Sequence, residues 1–392
     1  MKAPFLDSLL KQHPDLFGDL VQHKEHYHIQ IIYTQIDRDS QNIPHFTQFE
    51  YGLDSNTYYY PASTVKLPIA ILSLQKLNEL NIPGLDKYST MITEAAYSGQ
   101  TPAYNDPTSF QGAPSIAQYI RKIFLVSDND AFNRLYEFLG QEYINNSLHR
   151  LGMDSAQILH RLDVSLSEDQ NRHTNPVSFY DSSTQLIYKK PLENSHYIYQ
   201  PRYTVLGKGY YKRGVLVNEP FDFSQKNRLG LRDLNSILTR VLFPESFPSD
   251  QRFGLKDSDY RFLWECMSRY PSESDYPSYD SSYTDAYVKF LLYGGKGAIE
   301  DRNIRIFNKV GDAYGFLTDA AYIVDFKNNI EFLLSATIYC NSDEIFNDDH
   351  YDYDTIGLPF LKNLGKVLYE YELRRQRQQV PDLSRFRFNY QR

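Results

Sequence analysis

The chain has 392 residues, with 41 Lys and Arg against 49 Asp and Glu, so its formal net charge is −8, and 41% of the residues are hydrophobic. This apolar content suffices for a sizeable core, which excludes the disordered, collagen-like and coiled-coil classes. The sequence contains no run of ~18 apolar residues, so we expect no integral membrane segment. The negative net charge argues against nucleic acid as a partner.

The first third of the chain predicts a helix, a hairpin and a second helix. Residues 5–20 have a helical pattern, and the β-rich runs 28–34 and 47–53 predict an N-terminal β-hairpin. Apolar residues then recur at mixed three-, four- and five-residue steps over residues 63–80. Ser63 stands where an N-cap is expected, which predicts a buried helix with an exposed start.

The middle of the chain is predicted to be mostly helical. Residues 115–153 predict three helices, with Gly140 and Gly152 as C-terminal stops and residues 127–129 as the connector between the first two. From about residue 181 to 285 the periodicity weakens and tyrosines are frequent. We interpret this stretch as an elaboration on a core.

The last third predicts a β-meander and a terminal helix. The runs 304–310, 316–326 and 330–339 are β-rich and separated by turn residues, and residues 358–373 are helical. Elements at both ends therefore flank a helical block. We expect the two ends to meet in one antiparallel sheet carrying the terminal helices, with the middle as a second lobe and a cleft between the lobes.

Three short motifs could carry nucleophilic chemistry. Ser-x-x-Lys occurs at Ser63 and Lys66, where the predicted helix start favours a developing negative charge and one turn separates the two side chains. A desolvated lysine can lose its proton near neutral pH and then take the proton of the serine. The second motif is Ser127-Asp128-Asn129, in which Asp128 or Asn129 could instead simply cap a helix. The third is Lys-Val-Gly at residues 309–311.

Ser-x-x-Lys alone is uninformative, because it also occurs at Ser8 and Ser73. The order of the three motifs, and their helix, connector and strand contexts, nevertheless resembles the penicillin-recognising serine enzymes, and most closely the class A β-lactamases. The similarity runs through residues 60–68, 126–139, 161–176 and 308–324. It implies a mixed α/β (α+β) fold of the β-lactamase/transpeptidase type, a three-layer sandwich with a five-stranded antiparallel sheet.

The resemblance also implies the domain organisation. We expect residues 1–392 to form a single catalytic domain, made of an α/β lobe (about 1–62 and 300–392) and a helical lobe (about 63–299), with the elaboration at about 181–285.

The roles of individual residues likewise follow from the resemblance. Ser63 would be the acylated nucleophile, Lys66 its proton acceptor, and Ser127 would pass a proton to the leaving nitrogen. Asp163 stands where these enzymes carry the deacylating base. No cofactor and no metal is expected.

The same resemblance implies a substrate-binding set. Asn129 would hold the substrate amide, and Lys309 would face the substrate carboxylate. The oxyanion hole would combine the N–H of the nucleophile with one just after Gly311, for which Asp312 or Ala313 fits by spacing.

Two departures from the family pattern affect different steps. Val310 replaces the hydroxyl residue usual between Lys and Gly, which predicts weaker capture of the substrate carboxylate. Arg161-Leu162-Asp163 replaces Arg-x-Glu. Because the Asp163 side chain is one methylene shorter than Glu, we expect it to activate the deacylating water poorly, so that the acyl-enzyme is hydrolysed slowly. Glu168 is an alternative base. We therefore expect weak turnover.

Other features have simpler interpretations. His23, His26 and His28, and the acidic residues 348–354, could ligate a metal but are expected to be solvated surface. Only two cysteines occur, Cys266 and Cys340, and they could pair or stay buried. The N-terminus lacks a signal-peptide pattern, so the protein is either cytoplasmic or a trimmed form, and the resemblance implies export to the periplasm or cell surface.

Three functions remain open at this stage. The first is a serine hydrolase that opens β-lactams, the second a peptidase of the same superfamily acting on D-alanyl-D-alanine cell-wall peptides, and the third a catalytically silent binding protein that kept the fold. The complete set of motif residues favours an enzyme with a small-molecule lactam or wall-peptide substrate. The oligomeric state is open, and we favour a monomer.

Overall fold

The computed structural model describes residues 4–390. Within these residues the chain forms ten α-helices: α1 (Pro4–Lys11), α2 (Pro14–Gln22), α3 (Lys66–Leu80), α4 (Ile116–Val126), α5 (Asn129–Leu139), α6 (Gln141–Arg150), α7 (Glu168–Arg172), α8 (Leu231–Leu242), α9 (Asp257–Ser268) and α10 (Leu358–Arg374).

The same part of the chain forms fifteen strands: β1 (Gln30–Arg38), β2 (Pro44–Tyr51), β3 (Thr90–Thr93), β4 (His173–Thr174), β5 (Val177–Tyr180), β6 (Leu186–Lys190), β7 (Glu193–Asn194), β8 (Val205–Leu206), β9 (Gly209–Lys212), β10 (Val215–Val217), β11 (Phe221–Asp222), β12 (Ile304–Ala313), β13 (Phe316–Asp325), β14 (Ile330–Tyr339) and β15 (Ile345–Phe346).

Two compact units make up the chain. The first comprises the chain through Thr64, Pro201–Thr239 and Asp285–Arg387, and the second comprises Val65–Gln200, Arg240–Thr284 and the segment from Phe388. The elaboration seen in the sequence is divided between them.

The first unit is built on a five-stranded antiparallel sheet. Its strand order is β12-β13-β14-β1-β2, so the N-terminal hairpin pairs with the C-terminal meander through β1 and β14. Ile32, for example, stands opposite Ser335 of β14 and Glu50 of β2. The sequence-based expectation that both ends of the chain share one sheet is confirmed, as is the mixed α/β class.

Terminal helices cover one face of this sheet. Leu6 and Phe17 from the N-terminal helices and Leu364 from α10 belong to the same buried cluster as Phe332 of β14. Every residue of β13 and β14 is buried, so these strands lack the polar alternation of a half-exposed sheet. Because both faces of these strands are buried, the sequence predicts them from runs of β-branched and aromatic residues rather than from alternation of polar and apolar residues.

The second unit is largely helical, and α3 lies at its core. Eleven of the fifteen residues of α3 are buried, which explains why its apolar residues recur at irregular steps rather than along one stripe. Helices α4, α5 and α6 follow as predicted, and Gly140 ends α5 with a positive φ of 78°. Two small sheets, β3-β5-β6 and β4-β7, complete the unit.

Two sequence-based predictions of local structure are corrected. Residues 5–20 form two helices rather than one, because Pro14 cannot continue the hydrogen-bond ladder of α1 and instead begins α2. Ser63 is not an N-cap. It lies in a 3₁₀ helix, Ala62–Val65, and α3 begins at Lys66 with no side-chain cap.

Both cysteines are buried free thiols. Burial raises the pKa of Cys266 to about 12, so this thiol is held in its unreactive protonated form. Within residues 4–390, no helix is long and apolar enough to cross a membrane.

Candidate active site

The Ser63 turn is a rigid piece of backbone. The Thr64 N–H and the Thr64 hydroxyl both donate to the carbonyl of Pro61, at 3.0 and 2.6 Å. Ala62 has a positive φ of 45°, which turns the chain sharply just before the serine. Ser63 itself is partly exposed, whereas Ala62 and Thr64 are buried. The turn therefore presents one hydroxyl on a constrained backbone.

Gly311 lies directly against this turn. A Cβ atom at position 311 would lie 2.7 Å from the Pro61 carbonyl oxygen and 2.9 Å from the backbone nitrogens of Ser63 and Thr64. Only glycine permits so close an approach of two backbones. The glycine of the third motif is thus explained sterically, because it lets β12 pass beside the N–H of Ser63.

Beyond Gly311, β12 continues for two residues along the free edge of the sheet. Asp312 is exposed and Ala313 partly exposed. An edge strand has backbone groups on alternate residues that are not used in the sheet. This is the kind of donor that an oxyanion hole combines with the N–H of a nucleophile.

Lys309 is a buried amine in β12, 2% exposed, whose Nζ donates to the Val310 carbonyl at 2.8 Å. Burial lowers the pKa of Lys309 to about 7, although the charges of Asp312 and Asp319 act in the opposite direction. Burial therefore makes the charged form of this amine less favourable than in an exposed lysine. An anionic ligand would stabilise the charged form.

Val310 belongs to the hydrophobic core. It is 1% exposed and packs in the cluster beneath the terminal helices, since neighbouring residues of a strand point to opposite faces. The sequence-based expectation that position 310 faces a substrate carboxylate does not fit this burial.

A buried polar network supports β12 from the core side. Asp319 accepts hydrogen bonds from the backbone N–H of Leu291 at 3.0 Å and from Asn308 Nδ2 at 2.8 Å, and Lys289 Nζ donates to Asn308 Oδ1 at 2.6 Å. Burial raises the pKa of Asp319 to about 6, against the lowering effect of these hydrogen bonds. This network could not be predicted from the sequence, because its members come from separate segments of the chain.

In the second unit, Lys66 meets two of the predicted site residues. Lys66 is the first residue of α3 and is fully buried. Its Nζ donates to the Ser127 carbonyl, to Ser127 Oγ at 3.1 Å and to Asn129 Oδ1 at 2.6 Å. The amine is therefore held among oxygen acceptors, beside the Ser127 hydroxyl.

The conformation of the 127–129 connector aims these side chains. Ser127 ends α4 with a left-handed φ of 60°, and Asp128 caps α5 by accepting the Ala131 N–H at 2.8 Å. The capping role considered for Asp128 is thus correct. It leaves Ser127 and Asn129 to contact Lys66.

Asp163 lies on the exposed side of its loop, with a left-handed φ of 56°. The preceding residue, Leu162, is 6% exposed and is held by Asn133, whose Nδ2 donates to the Leu162 carbonyl at 3.0 Å and whose Oδ1 accepts the Leu162 N–H at 2.8 Å. The alternative base Glu168 is paired with Arg172 at 2.9 Å.

The loop is fixed at its start by a buried ion pair. The Arg161 guanidinium binds both oxygens of Glu137, one of them at 2.9 Å, and donates to the His173 carbonyl at 2.8 Å. Asn133 and Glu137 were not identified from the sequence. The available signal was helical spacing, because they follow Asn129 by four and eight residues on one face of α5.

No group of three or more His, Cys, Asp or Glu side chains that could hold a metal ion occurs in the part of the chain that the structure describes.

Comparison with known proteins agrees with this architecture. Residues 20–195 match the model of the β-lactamase enzyme family. The β-lactamase from Xanthomonas campestris pv. campestris has 12% identity over 94% of this chain and 100% of its own, with a TM-score of 0.50. An ancestral class A β-lactamase (GNCA) has 11% identity over 93% of this chain and 99% of its own, also with a TM-score of 0.50. No curated protein sequence matches this chain closely enough to count as a relative.

At such identities the structural similarity establishes the fold. Together with the family match it confirms the resemblance drawn from the three motifs. The fold is similar to that of the solved β-lactamases. The sequence similarity to the β-lactamase enzyme family covers residues 20–195, which is less than half of the chain.

Proposed function

We propose that Ser63 is acylated by β-lactams or by related amides such as D-alanyl-D-alanine peptides. We also propose that water hydrolyses the acyl-enzyme slowly. The observation that carries this proposal is the position of the Lys66 amine, buried and bonded to Ser127 and Asn129. A buried amine beside a hydroxyl suits proton transfer.

The proposed acylation moves two protons. Lys66 first loses one proton to solvent, since an amine that donates all three of the hydrogen bonds described above is charged. The neutral amine then takes the proton of the Ser63 hydroxyl, and Oγ attacks the substrate carbonyl to form an ester. The carbonyl C–N bond breaks, and Ser127 passes a proton to the leaving nitrogen and recovers one from Lys66. Water later cleaves the ester, which frees Ser63 and releases the acid.

The proposed binding residues have separate tasks. Lys309 attracts the substrate carboxylate, since an anion favours the charged form of a buried amine. Asn129 holds the substrate amide. The N–H groups of Ser63 and Ala313 receive the oxyanion, a role supported by the close passage of Gly311 beside Ser63.

Slow hydrolysis of the acyl-enzyme is supported by the surroundings of the two carboxylates considered as its general base, Asp163 and Glu168. A general base must come within about 2.6 to 3.2 Å of its water. Asp163 is exposed, Glu168 is paired with Arg172, and Leu162 occupies the loop position that Asn133 anchors. An acyl-enzyme without a base to activate water persists. The same observation favours, as the second candidate, a peptidase-type enzyme whose natural substrate is a wall peptide.

Intact-mass spectrometry after incubation with benzylpenicillin tests the proposal. We expect one added penicilloyl mass, localised to Ser63 by peptide mapping, absent in Ser63→Ala and decaying over minutes or longer. Release of D-alanine from a D-alanyl-D-alanine peptide would identify the peptidase. Absence of any adduct on a folded protein that still binds penicillin would identify a silent binding protein and refute the proposal.

The remaining expectations rest on the resemblance. We propose that the chain acts as a single catalytic domain, as a monomer, in the periplasm or at the cell surface, where lactams and wall peptides are encountered. Cell fractionation and light scattering on the purified protein test the last two points.

A further inference from the structure

A cluster of aromatic rings stands at the end of β12, next to the Ser63 turn. The Tyr314 ring packs edge-on against Tyr60 at 5.0 Å between centroids and stacks on Phe221 at 5.5 Å. Phe223 packs against both Tyr314 and Tyr60. Tyr60 precedes the nucleophile by three residues, so the cluster adjoins the serine turn.

Lys226 sits over this cluster. Its Nζ is 5.5 Å from the centroid of the Tyr314 ring and 5.6 Å from that of Phe221, and it donates to the Tyr314 hydroxyl at 3.4 Å. This hydrogen bond is long, and an ammonium has three protons to donate. Among the residues that the structure describes, no carboxylate forms an ion pair with Lys226. The ammonium therefore retains donors for a ligand.

The backbone at Tyr314 is unusual for a large side chain. Tyr314 and Gly315 form the two-residue turn between β12 and β13, with φ values of 54° and 77°. Two positive φ values suit Asn-Gly or Gly-Gly, and a bulky ring at the first position is strained. The turn places this ring against Phe221 and Lys226, which belong to the Tyr-rich elaboration.

The direction of β12 relates this cluster to the substrate. If Lys309 holds the carboxylate and the carbonyl lies near Gly311, the acyl side chain extends towards Tyr314. At about 3.3 Å per residue, Tyr314 is roughly 10 Å beyond Gly311 along the edge strand. Lys226, which packs over Tyr314, therefore lies beside the acyl side chain rather than beside the reacting carbonyl.

We propose that Lys226, with Tyr314 and Phe221, forms a subsite for substrates whose acyl side chain carries an additional carboxylate beside an apolar or aromatic group. This inference rests on the proposed acylation of Ser63. The rings provide apolar contact, and Lys226 provides the charge that selects an acidic group over a basic one.

Three penicillins on one scaffold test the subsite. The benzylic carbon bears a carboxylate in carbenicillin, an ammonium in ampicillin and neither in benzylpenicillin. We expect the acylation rate constant of the parent protein to be about tenfold higher for carbenicillin than for ampicillin, a difference that high salt reduces. In Lys226→Gln the rate constants for carbenicillin and ampicillin should agree within about twofold. Lys226→Arg, which keeps the positive charge, should show the same preference for carbenicillin as the parent.

The matched control is Lys212→Gln, which removes an exposed lysine of β9 in the same elaboration and should leave the ratio unchanged. Equal rates in the parent, or a preference that survives in Lys226→Gln, would overturn the subsite.

Benzylpenicillin, whose benzylic carbon carries no charge, distinguishes failure of the proposed function from failure of the subsite. If benzylpenicillin does not acylate Ser63, the proposed function fails, and the subsite is then decided by calorimetric binding of carbenicillin and ampicillin to Ser63→Ala. Tighter binding of carbenicillin that is lost in Ser63→Ala/Lys226→Gln supports the subsite. Equal binding overturns it.

Discussion

Asn133 holds both backbone groups of Leu162, donating to its carbonyl at 3.0 Å and accepting its N–H at 2.8 Å. Asn133 lies one helical turn after Asn129, which accepts a hydrogen bond from Lys66. The anchored residue of the loop is therefore Leu162, whereas its neighbour Asp163 is exposed. This relationship makes the deacylation step directly testable.

Leu162→Glu should accelerate decay of the Ser63 acyl-enzyme by about tenfold or more, because a positioned general base contributes on the order of 10²-fold or more to a hydrolytic step. The measurement is the return of the unmodified mass after removal of free benzylpenicillin. Asp163→Glu is the matched control at the exposed position and should leave the decay rate within about twofold of the parent. Faster decay in Asp163→Glu than in Leu162→Glu would identify Asp163 as the residue that faces the water.

Gly311→Ala should slow acylation by at least about a hundredfold, because the new methyl group would lie 2.9 Å from the Ser63 nitrogen and force β12 away from the serine turn. The measurement is the second-order rate constant of benzylpenicillin acylation. Gly230→Ala is the control, since a Cβ there meets nothing nearer than Asp233 at 3.7 Å. Acylation at the parental rate in Gly311→Ala would show that the close approach is not needed.

Capture of an anionic penicillin should weaken as the pH rises from 6 to 8. Because burial lowers the pKa of Lys309 to about 7, the lysine is charged below this pH and becomes neutral above it. The dissociation constant for penicillin measured in Ser63→Ala should therefore increase over this range. Lys309→Met should bind weakly at every pH, with no dependence between pH 6 and 8. An unchanged pH dependence in Lys309→Met would assign it to another group.

Val310→Thr should destabilise the protein by about 1–3 kcal/mol, because it introduces a hydroxyl into a site that is 1% exposed and packed with apolar side chains. Urea unfolding measures this cost, and Val310→Ile serves as an apolar control at the same site. The acylation rate constant should stay within about twofold of the parent. A faster acylation in Val310→Thr would mean that the side chain reaches the substrate, as the resemblance to the β-lactamase motif implies.

The sequence by itself determined the elements and the motif positions. Residues 304–339 show β-rich runs separated by turns, and the helices around residues 127–129 show helical spacing and glycine stops, all of which are local properties of the chain. The one element boundary that mattered for the site was misjudged, since Ser63 lies in a 3₁₀ helix before α3. A short tight turn and an N-cap use the same residue types and cannot be distinguished by pattern.

Only the tertiary structure decided which groups meet. The contact of Gly311 with the Ser63 turn, the anchoring of Leu162 by Asn133 and the position of Lys226 over Tyr314 all join residues that are distant in sequence. The Lys-Val-Gly motif also does not predict which face of the sheet carries the Val310 side chain. A shift of one residue in strand register would exchange the buried and exposed faces. Local periodicity determines which elements form, whereas packing between them determines register, loop direction and therefore the chemistry of the site.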